Sequence, residues 1–178
     1  MIQWYVIRAT GVVALALLTV TVVLGLLNRS RVTSDRWPRF VIDRLHRNAS
    51  LLAVVFLSVH IVTAVTDGWV SVDLADVFIP FRGTYRPLWV GLGATAVDLL
   101  AAVMLTSLVR VRLGVRIWRG VHWLAYLAWP VAVAHGLGIG TDSGQIWMLG
   151  IEAVCIGSVL AALAIRLTDP VRLAGQAW

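Results

Sequence analysis

The chain has 178 residues, of which 60% are hydrophobic and 13% are charged, with a mean hydropathy of +0.86. A soluble domain averages about 25% charged residues, so this chain has about half of the charge that a water-facing surface needs. These values predict an integral membrane protein, and five or six spans of about 20 residues leave no length for a folded soluble domain. The single cysteine, Cys155, excludes an internal disulfide framework and a thiolate metal cluster.

Five long apolar runs follow one another along the chain, each bounded by charged residues or by Gly and Pro. Each run has about the length that a helix needs to cross a bilayer. We therefore predict an all-α membrane protein whose residues 1–178 form one transmembrane domain, a bundle of five helices. The predicted helices span about 4–27, 46–66, 87–109, 118–138 and 146–167. The segment between the second and third helices alternates apolar and acidic residues, which predicts a short amphipathic piece on the outer membrane surface.

The arginines predict the orientation of the bundle, because short cytoplasmic loops retain positive charge. Twelve of the fifteen fall on one predicted side: Arg29, Arg31, Arg36, Arg39, Arg44, Arg47, Arg110, Arg112, Arg116, Arg119, Arg166 and Arg172. The opposite side carries Arg8, Arg82 and Arg86 together with Asp67, Asp73, Asp76 and Asp142. We therefore predict a multi-pass protein of the plasma membrane with its N-terminus outside and its C-terminus in the cytoplasm. Because topology accounts for the net charge of +6, no nucleic-acid partner is expected.

All four histidines lie in the second and fourth predicted helices, His46 and His60 in one, His122 and His135 in the other. Both helices run from inside to outside, and a rise of about 1.5 Å per residue separates the histidines by roughly 21 Å and roughly 20 Å. The histidines therefore form an inner and an outer layer of matched depth. Ionisable residues at membrane depth indicate a functional site. Two facing helices that contribute one histidine each per layer can hold a six-coordinate haem.

The helical phase of the fourth helix is the difficult part of this arrangement. On an ideal helix His46 and His60 lie within about 40° of one face, whereas His122 and His135 lie about 140° apart. Pro130 falls between the last two, and a proline removes a backbone hydrogen bond and kinks or rewinds the preceding turn. We predict that Pro130 brings both histidines to the same face.

Several other residues near the layers have a candidate role. Arginines can pair with haem propionates; the candidates are Arg44, Arg47 and Arg119 at the inner layer and Arg82 and Arg86 at the outer one. Four glycines either let a flat macrocycle approach a helix or let helices pack closely; these are Gly91, Gly93, Gly136 and Gly138. Arg8 and Glu152 lie at similar depth and are predicted to form a buried ion pair, with a proton path or a quinone-site carboxylate as the alternative.

Two stretches carry a resemblance to a known family. LHRNASLLAVVFLSVHIV and RIWRGVHWLAYLAWPVAVAH, with thirteen and twelve residues between their histidines, resemble the ferric reductase-like transmembrane domain family. That family includes ferric reductases, NADPH oxidases and the haem-binding membrane subunit of the bacterial periplasmic methionine sulfoxide reductase system. The pattern LG-x-R-x-W-x-x-x-H-x-x-x-Y-L, from Leu113 to Leu127, is most similar to that subunit. The resemblance covers roughly residues 40–165.

The resemblance implies a set of ligands and a direction of electron flow. His46 and His122 would bind an inner haem b and His60 and His135 an outer one, with electrons crossing from a cytoplasmic-side donor to an extracytoplasmic acceptor. The chain departs from the family in three ways. It has five predicted helices where the family core usually has six. It has His46, which the sulfoxide reductase subunit does not match. About ten residues follow the last helix, so we expect an oxidoreductase component without its own FAD and NADPH domain and with no catalytic residue.

The partners implied by the resemblance are redox partners. The expected donor is a separate flavoprotein reductase or a membrane quinol, and the expected acceptor is ferric iron, oxygen or a periplasmic or extracellular redox protein. A bound flavin is a further candidate cofactor. Two alternatives stay open: a quinol-oxidising cytochrome b membrane anchor of a larger oxidoreductase, and a haem-free membrane protein with a histidine metal site. Reduction by a quinol analogue without a flavoprotein would identify the first, and the lack of a Soret absorption band would identify the second.

Overall fold

The computed structural model describes residues 2–29 and 38–168, and all regular secondary structure in that part of the chain is helical. The helices in chain order are α1 (Ile2–Arg29), α2 (Arg39–Val65), α3 (Leu74–Phe78), α4 (Pro87–Leu108), α5 (Arg110–Leu113), α6 (Val115–His122), α7 (Ala125–Ile139) and α8 (Ile146–Thr168). Some arginines used to predict the orientation lie outside the described residues, namely Arg31, Arg36 and Arg172, as do the side chains of Arg29 and Arg39.

Four of the described helices, α1, α2, α4 and α8, are long and apolar enough to cross a membrane. They coincide with the first, second, third and fifth predicted runs, so the prediction of an all-α membrane protein is confirmed. α2 begins seven residues earlier than predicted, directly after Pro38. Its first two turns are rich in arginine, and hydropathy identifies only the apolar part of a helix, not its polar extension.

The fourth predicted run is divided between two helices. α6 ends at His122 and α7 begins at Ala125. Between residues 124 and 127, three backbone N–H groups bond to the carbonyl three residues earlier, at 2.9–3.0 Å. This 3₁₀ pattern turns the chain by about 120° per residue instead of about 100°, which changes the phase between the two histidines. The interruption lies at Trp123 and Leu124, six residues before Pro130, which is inside α7, so the role predicted for Pro130 stays a prediction.

The core lies between α1, α7 and α8, with α1 at the centre of the bundle. α1 packs against α2, α7 and α8, and α4 packs against α7. The buried core side chains are Leu15, Val22, Leu26, Trp129, Val133, Cys155 and Ala162. The indole N–H of Trp129 donates to the hydroxyl of Thr19 at 2.9 Å, which joins α7 to α1. α2 and α4 contribute no side chain to this cluster, and both line a cavity next to it.

The helix ends collect at two ends of the bundle that differ in charge. At one end the start of α1 meets the end of α2, where the amide of Gln3 donates to Thr66 at 3.0 Å. We call it the acidic end, after Asp67, Asp73, Asp76 and Asp142. At the other end, the amide of Asn28 donates to Asp43 at 2.5 Å and the indole of Trp118 to Ser107 at 3.1 Å. We call it the arginine-rich end, after Arg44, Arg47, Arg110, Arg112, Arg116 and Arg119.

The segment between α2 and α4 covers the acidic end and contains the short helix α3. The backbone N–H of Asp73 donates to the Asp76 carboxylate at 3.0 Å, which closes the first turn of α3. Phe81 has a positive φ of 65°, and its ring lies against the backbone of α4 at Gly91, where a side chain would overlap it. Leu74 and Phe78 of α3 are exposed, as an amphipathic piece on a membrane surface requires.

Candidate cofactor site

A cavity of about 1220 Å³ lies between α2 and the α6–α7 segment, next to α1 and α4. All four histidines line it, together with mainly apolar side chains. It extends from Arg47 and Arg119 at the arginine-rich end to Arg8 and Asp76 at the acidic end. Pockets for a single drug-sized ligand have roughly 300–1,000 Å³. The cavity therefore has room for more than one such ligand along its length.

The histidines face each other across this cavity in two pairs. The ring centroids of His46 and His122 are 6.3 Å apart with 55° between the ring planes. The ring centroids of His60 and His135 are 6.4 Å apart with 82° between the planes. We call the first the arginine-end pair and the second the acidic-end pair. These are the pairs expected from matched depth along the two helices.

The separation within each pair has a direct chemical meaning. A metal–imidazole bond of about 2.0–2.1 Å and a nitrogen-to-centroid distance of about 1.2 Å put two opposed ring centroids roughly 6.5 Å apart when one ion lies between them. The measured 6.3 Å and 6.4 Å are close to this value. The centroid separation in each pair is therefore close to that of two imidazoles on opposite sides of one metal ion.

Backbone carbonyls orient three of the four rings. Nδ1 lies 3.0 Å from the Thr21 carbonyl in His46, 2.8 Å from the Ile7 carbonyl in His60, and 2.7 Å from the Trp89 carbonyl in His135. A carbonyl oxygen only accepts hydrogen bonds, so Nδ1 carries the ring proton and donates it. In a neutral imidazole Nε2 is then the nitrogen with a free lone pair, which is the form that ligates a metal.

His122 is held by a different contact. It is the last residue of α6, and its ring centroid lies 5.0 Å from that of Trp118, one turn earlier, with 34° between the planes. Trp118 is itself fixed to α4 through its hydrogen bond to Ser107, and the Arg110 guanidinium lies 5.5 Å from its ring. The Trp118 ring, itself held to α4, therefore lies against the His122 ring.

The arginines predicted to lie at the site occupy different surroundings. Arg47 and Arg119 line the cavity at the arginine-rich end, whereas the exposed Arg44 does not. Arg86 donates through Nη1 to two of the last carbonyls of α7, at 2.9 Å and 3.2 Å, and it does not line the cavity. Arg82 lies 3.7 Å from the Asp76 carboxylate and is half exposed. Two of the five candidates are thus placed to reach a group inside the cavity.

Arg8 is a cavity residue that the sequence did not assign to the site. The predicted ion pair between Arg8 and Glu152 is wrong, because Arg8 forms its ion pair with Asp142 in the loop between α7 and α8. Its guanidinium lies over the Trp4 ring at 4.8 Å. Its Nε atom is buried without a hydrogen-bond partner among the described residues. Arg8 therefore keeps one unused donor at the acidic end of the cavity, while its charge is paired with Asp142.

Glu152 belongs to a different part of the bundle. It is 1% exposed on α8, and neither carboxyl oxygen has a hydrogen-bond partner in the described part of the chain. A Cβ atom added at Gly136 would lie 3.0 Å from one of these oxygens, so Glu152 reaches the side of α7 that bears Gly136. Glu152 does not line the histidine cavity.

A comparison with family models gives the family of the chain. The model of the Ferric reductase like transmembrane component matches residues 10–133, which is 124 of the 178 residues. The chain belongs to this family. The matched region contains His46, His60 and His122 and ends two residues before His135. No curated protein and no solved structure matches the chain.

Membership in the ferric reductase-like family indicates both the location of the protein and its general type of function. Together with the four long apolar helices, it makes the chain a multi-pass membrane protein. Transmembrane domains of this family carry electrons through the membrane and commonly bind haem. In the described part of the chain, the cavity brings all four histidines together.

Proposed function

We propose that the protein holds two haem b groups, one at each histidine pair, and passes electrons from a donor at the arginine-rich end to an acceptor at the acidic end. The observation that carries the proposal is the spacing of the two pairs, 6.3 Å and 6.4 Å between ring centroids, inside one cavity. When bound, haem supplies reversible one-electron chemistry, with a potential that depends on ligands, burial and nearby charge.

The composition of the site favours haem over a bare metal ion. A porphyrin supplies four ligands of its own, so two opposed imidazoles complete six-coordinate iron. A bare Zn²⁺ or similar ion needs three or four ligands from the protein. Among the described residues, no group of three or more His, Cys, Asp and Glu side chains could hold such an ion. The histidines therefore suit an axial role better than the alternative of a haem-free metal site.

The residues of the chain perform three tasks in this proposal. The carbonyls of Ile7, Thr21 and Trp89 keep their histidines in the tautomer that presents Nε2. The mainly apolar lining suits the apolar face of a macrocycle. Arg47 and Arg119 supply positive charge for carboxylates on the cofactor at one end, and Arg8 offers its Nε donor at the other.

We further propose that the α6–α7 segment is a fifth crossing and that the N-terminus lies outside. α7 has 15 residues, which corresponds to about 22 Å, so part of the crossing must come from α6. The arginine-rich end would face the cytoplasm of a plasma-membrane protein, in agreement with the retention of positive charge on that side. The donor would then be a cytoplasmic flavoprotein or a membrane quinol, and the acceptor ferric iron, oxygen or an extracytoplasmic redox protein.

The test is the absorption spectrum and haem content of the full chain purified in detergent from haem-sufficient cells. We expect a Soret band, two haems per chain and two low-spin ferric signals in electron paramagnetic resonance (EPR). A colourless preparation would overturn the proposal. Reduction by a quinol analogue alone would identify a quinol as the donor, and reduction only after a flavoprotein and NADPH are added would identify a flavoprotein.

A further inference from the structure

The three carbonyl-bonded histidines share one local arrangement. In each case the accepting carbonyl belongs to the residue four positions before a glycine: Ile7 before Gly11, Thr21 before Gly25, and Trp89 before Gly93. Side chains on a helix lean toward its N-terminus, so the side chain at position i+4 lies over the carbonyl at position i. A glycine at that position leaves the carbonyl accessible to a second donor.

The space above each glycine is filled by the histidine ring. A Cβ atom added at Gly93 would lie 2.7 Å from the ring of its histidine, and one added at Gly11 would lie 3.0 Å away. Both distances are below the contact distance of about 3.5 Å between carbon atoms, so any side chain there would displace the ring. At Gly25 the corresponding distance is 3.6 Å, which is an ordinary contact. The acidic-end pair is therefore more tightly seated than the arginine-end pair.

The arrangement repeats along α1 with the period of the histidines on α2. Gly11 and Gly25 are fourteen residues apart, and His46 and His60 are also fourteen residues apart. Since α1 and α2 pack against each other over their length, α1 offers one accessible carbonyl at each layer. The same arrangement of carbonyl, glycine and histidine ring is therefore present twice between α1 and α2, once in each layer.

The fourth position shows what happens without a glycine. His122 precedes His135 by thirteen residues, and the residue thirteen positions after Trp89 on α4 is Ala102. Four residues later the chain has Thr106, whose hydroxyl donates to the Ala102 carbonyl at 2.7 Å. This carbonyl therefore already accepts a hydrogen bond from a side chain of its own helix.

We propose that Gly11, Gly25 and Gly93 are positioning residues for the axial ligands: each exposes one backbone carbonyl, and that carbonyl fixes the orientation and tautomer of one histidine. The inference rests on the proposed function, since it assigns how the chain prepares three of the four ligands. A hydrogen bond from Nδ1 makes the imidazole a stronger donor to iron. A weaker bond from a displaced ring therefore raises the midpoint potential of the haem in that layer.

The test compares Gly93→Ala, Gly11→Ala and Gly25→Ala with Gly157→Ala, a control on α8 whose added Cβ meets nothing within 4 Å. Each full-length variant is purified, and its EPR spectrum and redox titration are recorded. We expect Gly93→Ala and Gly11→Ala to shift the acidic-end signal and raise its potential, with the arginine-end signal unchanged. Gly157→Ala should match the unmodified protein. Gly25→Ala should shift the arginine-end signal alone, and by less than the bulkier Gly25→Val, because its added Cβ lies 3.6 Å from the His46 ring.

The unchanged arginine-end signal in Gly93→Ala and Gly11→Ala also reports that the bundle has folded. Unmodified acidic-end signals in both variants would overturn the positioning role while the two haems, and with them the proposed function, remain. Loss of both signals in those variants, with Gly157→Ala intact, would also overturn it, since the glycines would then serve only the packing of the whole bundle. A lack of haem in the unmodified protein would instead refute the proposed function.

Discussion

The two histidine pairs have nearly the same separation but are held by the chain in different ways. In the acidic-end pair, both rings donate to backbone carbonyls, one on α1 and one on α4. In the arginine-end pair, His46 donates to a carbonyl of α1, whereas His122 ends α6 and lies against Trp118. One histidine pair thus lies on continuous helices, whereas the other includes a histidine at the junction between two helices.

This difference indicates which pair is easier to perturb. Backbone carbonyls inside a helix move only when the helix moves. Trp118, in contrast, depends on its own rotamer and on one hydrogen bond to Ser107. We therefore expect the acidic-end site to be the more rigid of the two and the arginine-end site to respond to substitutions in the α6–α7 junction.

The largest expected effect comes from removal of one ligand in each pair. His135→Ala should leave only the arginine-end haem and His122→Ala only the acidic-end haem, because the two pairs share no ligand. The measurement is haem per chain by pyridine haemochromogen, which should fall from two to one, with Gly157→Ala as a control that keeps two. Loss of both haems in each histidine variant would contradict the independence of the pairs.

A smaller effect is expected from Trp118→Leu, which removes the ring beside His122 and the hydrogen bond to Ser107. The arginine-end site should lose about 2 kcal/mol of stability. One hydrogen bond accounts for about 1 kcal/mol and the aromatic contact for about 0.5–1.5 kcal/mol. Heating should then release the arginine-end haem at a lower temperature, while the acidic-end EPR signal is retained. Equal destabilisation of both signals would argue against separate support for the two pairs.

Removing either charge of the Arg8–Asp142 ion pair should shift the midpoint potential of the acidic-end haem, in opposite directions for the two residues. Arg8→Gln removes a positive charge next to the cavity and should lower the midpoint potential of the acidic-end haem, because a cation favours the reduced state. Asp142→Asn should raise it. Each shift should be on the order of 1 kcal/mol, or roughly 40 mV for one electron. Redox titration measures both, and shifts of the same sign would show that structural damage, not charge, is responsible.

The smallest effect is expected from Pro130→Ala. The change of helical phase occurs at Trp123 and Leu124, and Pro130 lies within α7. Both EPR signals should therefore be unchanged, and stability should change by less than about 1 kcal/mol, because neighbouring helices compensate for a proline within a membrane helix. A shifted arginine-end signal would show that the junction depends on Pro130 after all.

The depth of the histidines was predictable because the rise of a helix is nearly constant. Residue spacing alone predicted that His46 lies level with His122 and His60 level with His135, and the same rings face each other in the structure. Hydropathy likewise identified four long apolar helices, because apolar length is what a bilayer requires.

The rotation of a helix about its own axis and the position of a loop were not predictable in this way. The junction before α7 depends on a local change from i−4 to i−3 hydrogen bonds, which leaves no periodic signal in the sequence. Arg8 and Glu152 have similar depths, yet the partner of Arg8 is a loop residue, and hydropathy does not place loops in space. The glycines carry a signal that sequence analysis could have used: the fourteen-residue spacing on α1 equals that of the histidines on α2.

α1 contains no histidine, yet it holds one ring of each pair through Ile7 and Thr21. These two carbonyls belong to one uninterrupted helix, so its rise of about 1.5 Å per residue determines the distance between the two layers. The distance between the layers therefore depends neither on the length of a loop nor on the thickness of the bilayer. A single residue inserted between Ile7 and Thr21 would rotate one carbonyl by about 100° relative to the other, so only one of the two rings could stay attached. Viable changes in this part of α1 are therefore restricted to substitutions that keep its length.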